Sequence, residues 1–224
     1  MKLQGKKTPD WVNLMRLLVI TPVAGGPGRG HRDVAAAALR AGCRAVQLRD
    51  KEMSDRWFAG LARAIMEDCG SAGALFLLND RVDVAAAIGC DGVHLGLDDL
   101  DVADARRILG PGMILGYSPE DLDGARAAVG SGADYLGVGP VFATPSKGDA
   151  GGPIGPEGVA RYCSEGIAPV VAVGGINDGN AAQAIAAGAA GVAVVSAVAS
   201  APDMEAAARA ILESVSGGGT EAAR

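Results

Sequence analysis

The sequence predicts an α/β fold, a single (β/α)₈ TIM barrel with parallel strands. Eight short apolar runs recur along the 224 residues, and most are followed by a polar or glycine-bearing turn and then an alanine-rich stretch. This alternation of strand and helix is typical of a parallel sheet. Eight such units in about 200 to 250 residues fit a closed barrel better than an open, doubly wound sheet.

The eight apolar runs are the predicted strands. Each has four or five residues, an ordinary strand length. In chain order they are 17–21, 45–48, 75–78, 92–95, 114–117, 135–138, 170–173 and 191–195.

Alanine-rich helices fill the intervals between the strands, for example 32–40 and 55–66, the second with Ser54 as a candidate N-cap. Several strands are preceded by a glycine at the point where a helix needs a left-handed residue to end. These glycines are Gly42, Gly89, Gly132 and Gly188.

The chain shows no boundary for a second domain. Residues 1–15 are predicted to be an N-terminal extension and residues 16–213 the barrel. Residues 214–224, with three consecutive glycines, are predicted to be a flexible C-terminal tail.

Charge and hydropathy exclude several classes of function. Lys and Arg number 20 against 26 Asp and Glu, a net charge of −6, whereas general nucleic-acid binders carry the opposite sign. No apolar run approaches the length of a membrane span or a signal peptide, so we expect a cytoplasmic protein that is not bound to a membrane. The low aromatic content leaves the oligomeric state open, a homo-oligomer included.

Cysteine and histidine restrict the chemistry further. The four cysteines form no C-x-x-C pair and are interpreted as buried thiols: Cys43, Cys69, Cys90 and Cys163. With only His31 and His94, the chain cannot build a multi-histidine metal site.

The second predicted strand ends in polar side chains. Period-two alternation places Gln47, Arg49 and Lys51 on one side, at the barrel mouth where such folds carry their chemistry. Two cations and an amide suit an anionic ligand. The alternative is a solvated strand end whose cations pair with Asp50 or Glu52.

Aspartates follow the third and fourth strands. Asp80 and either Asp98 or Asp99 could hold one Mg²⁺ that also takes phosphate oxygens. Alternatively, these aspartates cap the following helices. His94 lies at the end of the fourth strand, where it is either a site residue or a satisfied core histidine.

The loops after strands six, seven and eight suit a phosphate. The sixth strand runs into a long loop that carries hydroxyls and Lys147, as an anion-closing lid would. The later loops carry Gly175 and the pair Val195 and Ser196, at the recurrent phosphate site of these barrels.

Seven colinear motifs together resemble the thiamine-phosphate synthase family. The resemblance runs from about residue 17 to residue 212 and is shared in part with a sister group, the thiazole tautomerases. The motifs are Gln47/Arg49/Lys51, Asn79-Asp80-Arg81, Gly92-Val93-His94-Leu95-Gly96 with Asp99, Gly116-Tyr117-Ser118, Gly139-Pro140-Val141-Phe142 with Thr144/Ser146/Lys147, Gly174-Gly175-Ile176 and Val195-Ser196.

The resemblance implies a transferase that joins hydroxymethylpyrimidine diphosphate to hydroxyethylthiazole phosphate or its carboxylated form. The products would be thiamine phosphate and pyrophosphate. The C–O bond would ionise before the thiazole nitrogen attacks, so the enzyme would stabilise the leaving group rather than supply a base or nucleophile.

The resemblance also implies a role for each matching residue. Asp80 and Asp99 would hold Mg²⁺ as the cofactor. Gln47 would orient the pyrimidine, with His94 close to it. The diphosphate would be bound by Asn79 and by the residues implied as catalytic, Arg49, Lys51, Ser118 and Lys147. The thiazole phosphate would be held by Thr144, Ser146, Gly175, Val195 and Ser196.

Three departures from the family pattern leave alternatives open. Leu97 stands where glutamine is frequent, Pro119 stands where threonine is frequent, and Ser146 replaces a threonine. A thiazole tautomerase would share the phosphate site, and a non-catalytic sensor of phosphate ligands would keep the barrel. Retention of both aspartates and the cationic residues favours the synthase, because a tautomerase binds no diphosphate.

Overall fold

Strand pairing closes the sheet in the order in which the strands occur along the chain. The structure, a computed structural model, describes residues 10–22, 29–144 and 152–216. In this part of the chain, eight parallel strands pair with their sequence neighbours, and the eighth pairs with the first. The predicted (β/α)₈ barrel is confirmed.

The strands begin and end close to their predicted positions. Their bounds are β1 Leu17–Ile20, β2 Ala45–Leu48, β3 Leu75–Asn79, β4 Gly92–Leu95, β5 Ile114–Tyr117, β6 Tyr135–Val138, β7 Val170–Val173 and β8 Gly191–Val194. The helices are α1 Trp11–Leu14, α2 His31–Arg40, α3 Asp55–Ala72, α4 Val82–Ile88, α5 Val102–Leu109, α6 Leu122–Gly130, α7 Gly155–Ser164, α8 Ala181–Ala186, α9 Ser196–Ala199 and α10 Met204–Ser216.

The lower part of the barrel interior is filled by apolar side chains. Leu18, Leu77, Ile114 and Val171, from four different strands, are almost completely buried in one cluster. Tyr135 of β6 belongs to the same cluster and is 1% exposed. The interior is therefore a packed core up to the level of the mouth.

A second core lies between the sheet and the helices. On the long helix α3, Phe58, Ala62, Ile65 and Cys69 are buried at intervals of three or four residues. These intervals place them on one face, which packs against outward-facing strand residues such as Phe76. Both faces of every strand are thus covered, as a parallel sheet requires.

The helix-terminating glycines have the predicted conformation. All four have positive φ, between 68° and 109°: Gly42, Gly89, Gly132 and Gly188. A side chain is disfavoured there, so glycine lets each helix end and the chain turn into the next strand.

Two aspartates connect neighbouring strands at the N-terminal face of the barrel. Asp91, just before β4, accepts a hydrogen bond from the Phe76 N–H of β3. Asp134, just before β6, accepts one from the Leu115 N–H of β5 and pairs with Arg106 at 2.7 Å. Burial raises the pKa of Asp91. Both aspartates lie far along the strands from the mouth and serve the fold.

Apolar residues close to each end of the described part of the chain pack on the barrel. In the predicted N-terminal extension, α1 brings Trp11 against the Tyr135 ring, with centroids 6.1 Å apart, and Met15 is buried. At the other end, α10 continues to Ser216, and Val215 is buried and accepts hydrogen bonds from the Arg16 guanidinium. The predicted boundary at residue 214 therefore lies inside a helix.

Other local predictions have mixed outcomes. Ser54 is at the N-cap of α3, but in the described residues its side chain makes no capping hydrogen bond. Three cysteines are buried and free, whereas Cys163 is only half-buried. Burial raises the pKa of Cys43 to about 11. Among the described helices, none combines the length and apolar character of a membrane span.

Truncating the barrel interior should destabilise the fold far more than truncating the surface. Leu77→Ala, at a fully buried position of β3, should lower the free energy of unfolding by about 2 to 5 kcal/mol in urea denaturation. Ile108→Ala, at a side chain 52% exposed on α5, is the control and should change it by less than about 0.5 kcal/mol. Equal effects would contradict this description of the core.

Candidate active site

The interior of the barrel becomes polar at the C-terminal ends of the strands. Gln47 is 1% exposed and lies two residues after Ala45 on β2, on the same inward-facing side of the strand. The strand register places Asn79 beside His94, His94 beside Gly116 and Gly116 beside Tyr135. The predicted site residues of the second, third and fourth strands therefore meet at one mouth.

The His94 ring is held on both nitrogens. Its Nδ1 lies 2.9 Å from the Tyr135 hydroxyl and its Nε2 lies 2.8 Å from the Ser118 hydroxyl. A Cβ atom at Gly116 would lie 2.5 Å from Nδ1, and one at Gly137 would lie 2.7 Å from Cε1. Glycines on two neighbouring strands thus make room for the ring. These contacts orient His94 and, through it, Ser118.

Asp80 and Asp99 lie together at the mouth. Asp80 follows β3 with a φ of 64°, the one non-glycine residue with positive φ in the described ranges, and its N–H donates to the His94 carbonyl at 2.9 Å. The Asp99 carboxylate accepts the Gly96 N–H at 2.7 Å. The strained Asp80 backbone is a cost of about 1 to 3 kcal/mol, as often found at functional sites.

Neither aspartate is a helix cap. The α5 N-cap is Asp101, whose carboxylate accepts the Ala103 N–H at 2.8 Å. The residue before α4 is Arg81, with no side-chain cap among the described residues. Asp98 is exposed, so Asp99 is the partner of Asp80 and the alternative interpretation as caps is wrong for both.

Lys51 lies between the two carboxylates. Its Nζ is 2.9 Å from Asp80 and 3.9 Å from Asp99. The hydrogen bond to Asp80 raises the pKa of Lys51, which stays charged. The alternative in which Lys51 pairs with Asp50 or Glu52 is therefore wrong.

The carboxylates themselves are unequal. Burial and the hydrogen bond with Asp99 raise the pKa of Asp80 to about 6. Burial alone would also raise the pKa of Asp99, but hydrogen bonds from Asp80 and the Gly96 N–H hold it below its ordinary value. The pKa shifts of the two neighbouring acids are opposite in direction, as expected when ionising one carboxylate makes ionising the other harder. A divalent cation bound between them would reduce this repulsion.

Arg49 completes the cationic side of the mouth. Its side chain is half-buried. This side chain makes no hydrogen bond or ion pair with any residue in the ranges 10–22, 29–144 and 152–216. Its charge lies close enough to Lys51 to lower the pKa of that ammonium. A half-buried guanidinium whose N–H groups have no acceptor among the described residues is suited to binding an anion.

The loops after β6, β7 and β8 approach one another through their backbones. A Cβ at Gly139 would lie 1.9 Å from the Val173 carbonyl oxygen, and one at Gly175, whose φ is 67°, would lie 2.6 Å from that of Ala143. The predicted Thr144 is half-buried on the first of these loops, and Ser196 is exposed at the start of α9, directly after Val195. Ser146 and Lys147 lie outside the described residues.

Comparison with known proteins decides the family. The family model described as thiamine monophosphate synthase matches residues 17–198. The chain belongs to this family.

Individual relatives agree with the family assignment. A thiamine-phosphate synthase of Moorella thermoacetica is 51% identical over 88% of this chain and 94% of its own length. A thiamine phosphate pyrophosphorylase from Pyrococcus furiosus, with 36% identity, superimposes with a TM-score of 0.83 over 92% of this chain and 98% of its own. A bifunctional thiamine-biosynthesis protein of Symbiobacterium thermophilum is 51% identical over 94% of this chain, which spans only 43% of that relative.

The predicted resemblance and the predicted transferase activity, that of a thiamine-phosphate synthase, are therefore confirmed. The role of each site residue stays a prediction.

Two sets of contacts around this site were not predicted from the sequence. Tyr135 reaches His94 from 41 positions away, and only the small residues at Gly116 and Gly137 signal that space is reserved. Thr21 and His31, with Asp50, form a buried polar cluster behind Arg49 that has no local sequence signal.

The raised pKa of Asp80 should make stability depend on pH. The folded state binds this proton more tightly than the unfolded chain, so the free energy of unfolding falls as pH rises from about 4 to about 6. Asp80→Asn removes this loss. In metal-free buffer, its urea midpoint relative to wild type should therefore be more favourable at pH 7.5 than at pH 4.5. A difference that does not change with pH would contradict the assignment.

Proposed function

We propose that this enzyme condenses hydroxymethylpyrimidine diphosphate with hydroxyethylthiazole phosphate, or its carboxylated form, to give thiamine phosphate and pyrophosphate; the carboxylated form would also release CO₂. The observation that carries the proposal is the cluster of Asp80, Asp99 and Lys51 at the mouth, with Arg49 beside it. An isomerase acting on the thiazole phosphate alone would have no diphosphate for this cluster to bind.

The acidic pair fits a magnesium ion. Asp80 and Asp99 present hard oxygen ligands, and among the described residues no group of three or more metal-ligating side chains is present. An incomplete protein ligand set is typical of magnesium sites in which substrate phosphates and water supply the remaining oxygens. Bound there, Mg²⁺ would neutralise charge on the diphosphate as it leaves.

The departing diphosphate is bound and stabilised by Lys51, Arg49 and Ser118. Lys51 offsets part of the charge of the two carboxylates in the free enzyme, so it is held beside the proposed position of the diphosphate before substrate arrives. The Arg49 guanidinium binds phosphate oxygens, and Asn79 adds an amide from the end of β3. Lys147, outside the described residues, would add a third cation.

The pyrimidine lies over the polar interior of the mouth. The buried Gln47 amide orients it, and His94 holds the Ser118 hydroxyl in place at 2.8 Å. The C–O bond breaks with its electron pair going to pyrophosphate, and the thiazole nitrogen donates its pair to the methylene carbon left behind. No side chain has to accept a proton, so the task is alignment and stabilisation of the leaving group.

The thiazole phosphate occupies the side of the mouth formed by β6, β7 and β8. The turn at Gly175 and the start of α9 after Val195 offer backbone N–H groups, and Thr144 and Ser196 supply hydroxyls from the same loops. Ser146, outside the described residues, would add a third hydroxyl. This arrangement keeps the phosphomonoester apart from the diphosphate across the barrel mouth.

The overall reaction is tested with both substrates and purified protein. Thiamine phosphate, measured as its fluorescent oxidation product thiochrome, should accumulate with Mg²⁺ and be abolished by EDTA. Product formed equally with Mg²⁺ and with EDTA would contradict the metal requirement. No product under either condition would contradict the proposed reaction.

Substitution of the metal-binding carboxylate should cost activity without unfolding the protein. Asp99→Asn should lower kcat/KM for the diphosphate by roughly 10² to 10³, as removal of one preorganised charge contact typically does. The matched control is Asp98→Asn, one position away on the exposed side of the loop, which should retain near-normal kcat/KM. Similar values in both variants would refute the role of Asp99.

A further inference from the structure

A buried polar cluster lies directly behind the cationic side of the mouth. It joins Thr21 at the end of β1, His31 at the start of α2 and Asp50 in the loop after β2. Thr21 is fully buried, His31 is 9% exposed and the Asp50 side chain is 8% exposed. Burying three polar side chains together is costly unless each is satisfied.

The hydrogen bonds within the cluster are mutually consistent. The Asp50 carboxylate has only lone pairs, so the His31 Nε2, 3.0 Å away, carries a hydrogen and donates to it. With the ring hydrogen on Nε2, the Thr21 hydroxyl can donate to Nδ1 at 2.7 Å while it accepts the Arg49 N–H at 3.3 Å. In this arrangement each of these donors has an acceptor.

The cluster holds the backbone on both sides of Asp50. The other oxygen of Asp50 accepts the N–H groups of Glu52 and Met53, both at 2.8 Å. Burial alone would raise the pKa of Asp50, but these two hydrogen bonds and the one from His31 hold it below its ordinary value, so the carboxylate is charged. The segment from Arg49 to Met53 is thereby tied to β1 and α2.

Arg49 and Lys51 are the two residues that flank Asp50 in this segment. At the mouth, Lys51 contacts Asp80 and Asp99, and the charge of Arg49 lies close enough to Lys51 to lower the pKa of that ammonium. A cation improves leaving-group stabilisation only if it is held in place before the reaction. The backbone that carries these two cations is held by Asp50 and Thr21, and both of these side chains are hydrogen-bonded to His31.

We propose that His31, through Asp50 and Thr21, is a positioning residue that presets Arg49 and Lys51 for the departing diphosphate. The proposal rests on the proposed function for the identity of the anion. His31 itself touches no substrate in this assignment; it acts through the loop that it anchors.

The test is pyrophosphate affinity, which is independent of turnover. His31→Leu removes both hydrogen bonds at similar volume and should weaken Mg²⁺-pyrophosphate binding, measured by calorimetry, by about ten- to a hundredfold. KM for the pyrimidine diphosphate should rise with it, while KM for the thiazole phosphate stays unchanged. His31→Gln, whose amide can still donate to Asp50, should recover most of the affinity.

Two further variants separate positioning from general stability. Thr21→Val removes the acceptor of the Arg49 N–H and should weaken pyrophosphate binding even if His31→Leu does not fold. Asp134→Asn, at the N-terminal end of the barrel, breaks the partly buried ion pair with Arg106 and should lower stability but leave pyrophosphate affinity unchanged.

The outcomes are distinct. Wild-type pyrophosphate affinity in folded His31→Leu or in Thr21→Val would overturn the proposal, as would equal losses for the thiazole phosphate. If wild type binds pyrophosphate but makes no thiamine phosphate, the proposed function fails while the positioning role stands or falls on the binding data. Absence of pyrophosphate binding to wild type would overturn both.

Discussion

Two carboxylates held close together at the mouth of the barrel are the constraint on which the rest of the site depends. Asp80 and Asp99 repel each other when both are charged, and partial burial makes that repulsion stronger. Lys51 offsets the repulsion in the free enzyme. A divalent cation placed between the two carboxylates would offset their charge further, and its remaining coordination positions would be open to diphosphate oxygens.

The barrel separates the work of folding from the work of binding along its axis. At the N-terminal end, Asp91 and Asp134 connect strands, and apolar side chains fill the interior. At the C-terminal end, the interior carries Gln47 and His94, and the backbone of Asp80 adopts a conformation that costs free energy. The stable lower layers offset the strain and repulsion of the upper one.

Much of this arrangement could be predicted from the sequence because it follows from periodicity. Alternation along β2 places Gln47, Arg49 and Lys51 on one side, and the order of strands in a barrel places Asn79 beside His94. The family motifs lie on these same strand ends. The fold could be predicted because one strand–helix unit is repeated eight times along the chain. The composition of the mouth could be predicted because each of the polar residues predicted there lies at the end of a predicted strand or in the loop that follows it.

Contacts between distant positions could not be predicted in this way. His31 meets Asp50 across 19 positions and Tyr135 meets His94 across 41, and no spacing rule links such pairs. The placement of Lys51 between two carboxylates depends on how three loops fold together. The helix at Trp11 was missed because four residues are too few to show a helical apolar pattern.

The central claim is that Asp80 and Asp99 together form a cation site that is completed by a diphosphate. The most direct measurement is binding of Mn²⁺, a spectroscopic substitute for Mg²⁺, followed by electron paramagnetic resonance in the presence of pyrophosphate. The account predicts one bound ion per wild-type chain and loss of that ion in Asp80→Asn. Equal binding of Mn²⁺ by both proteins would contradict it.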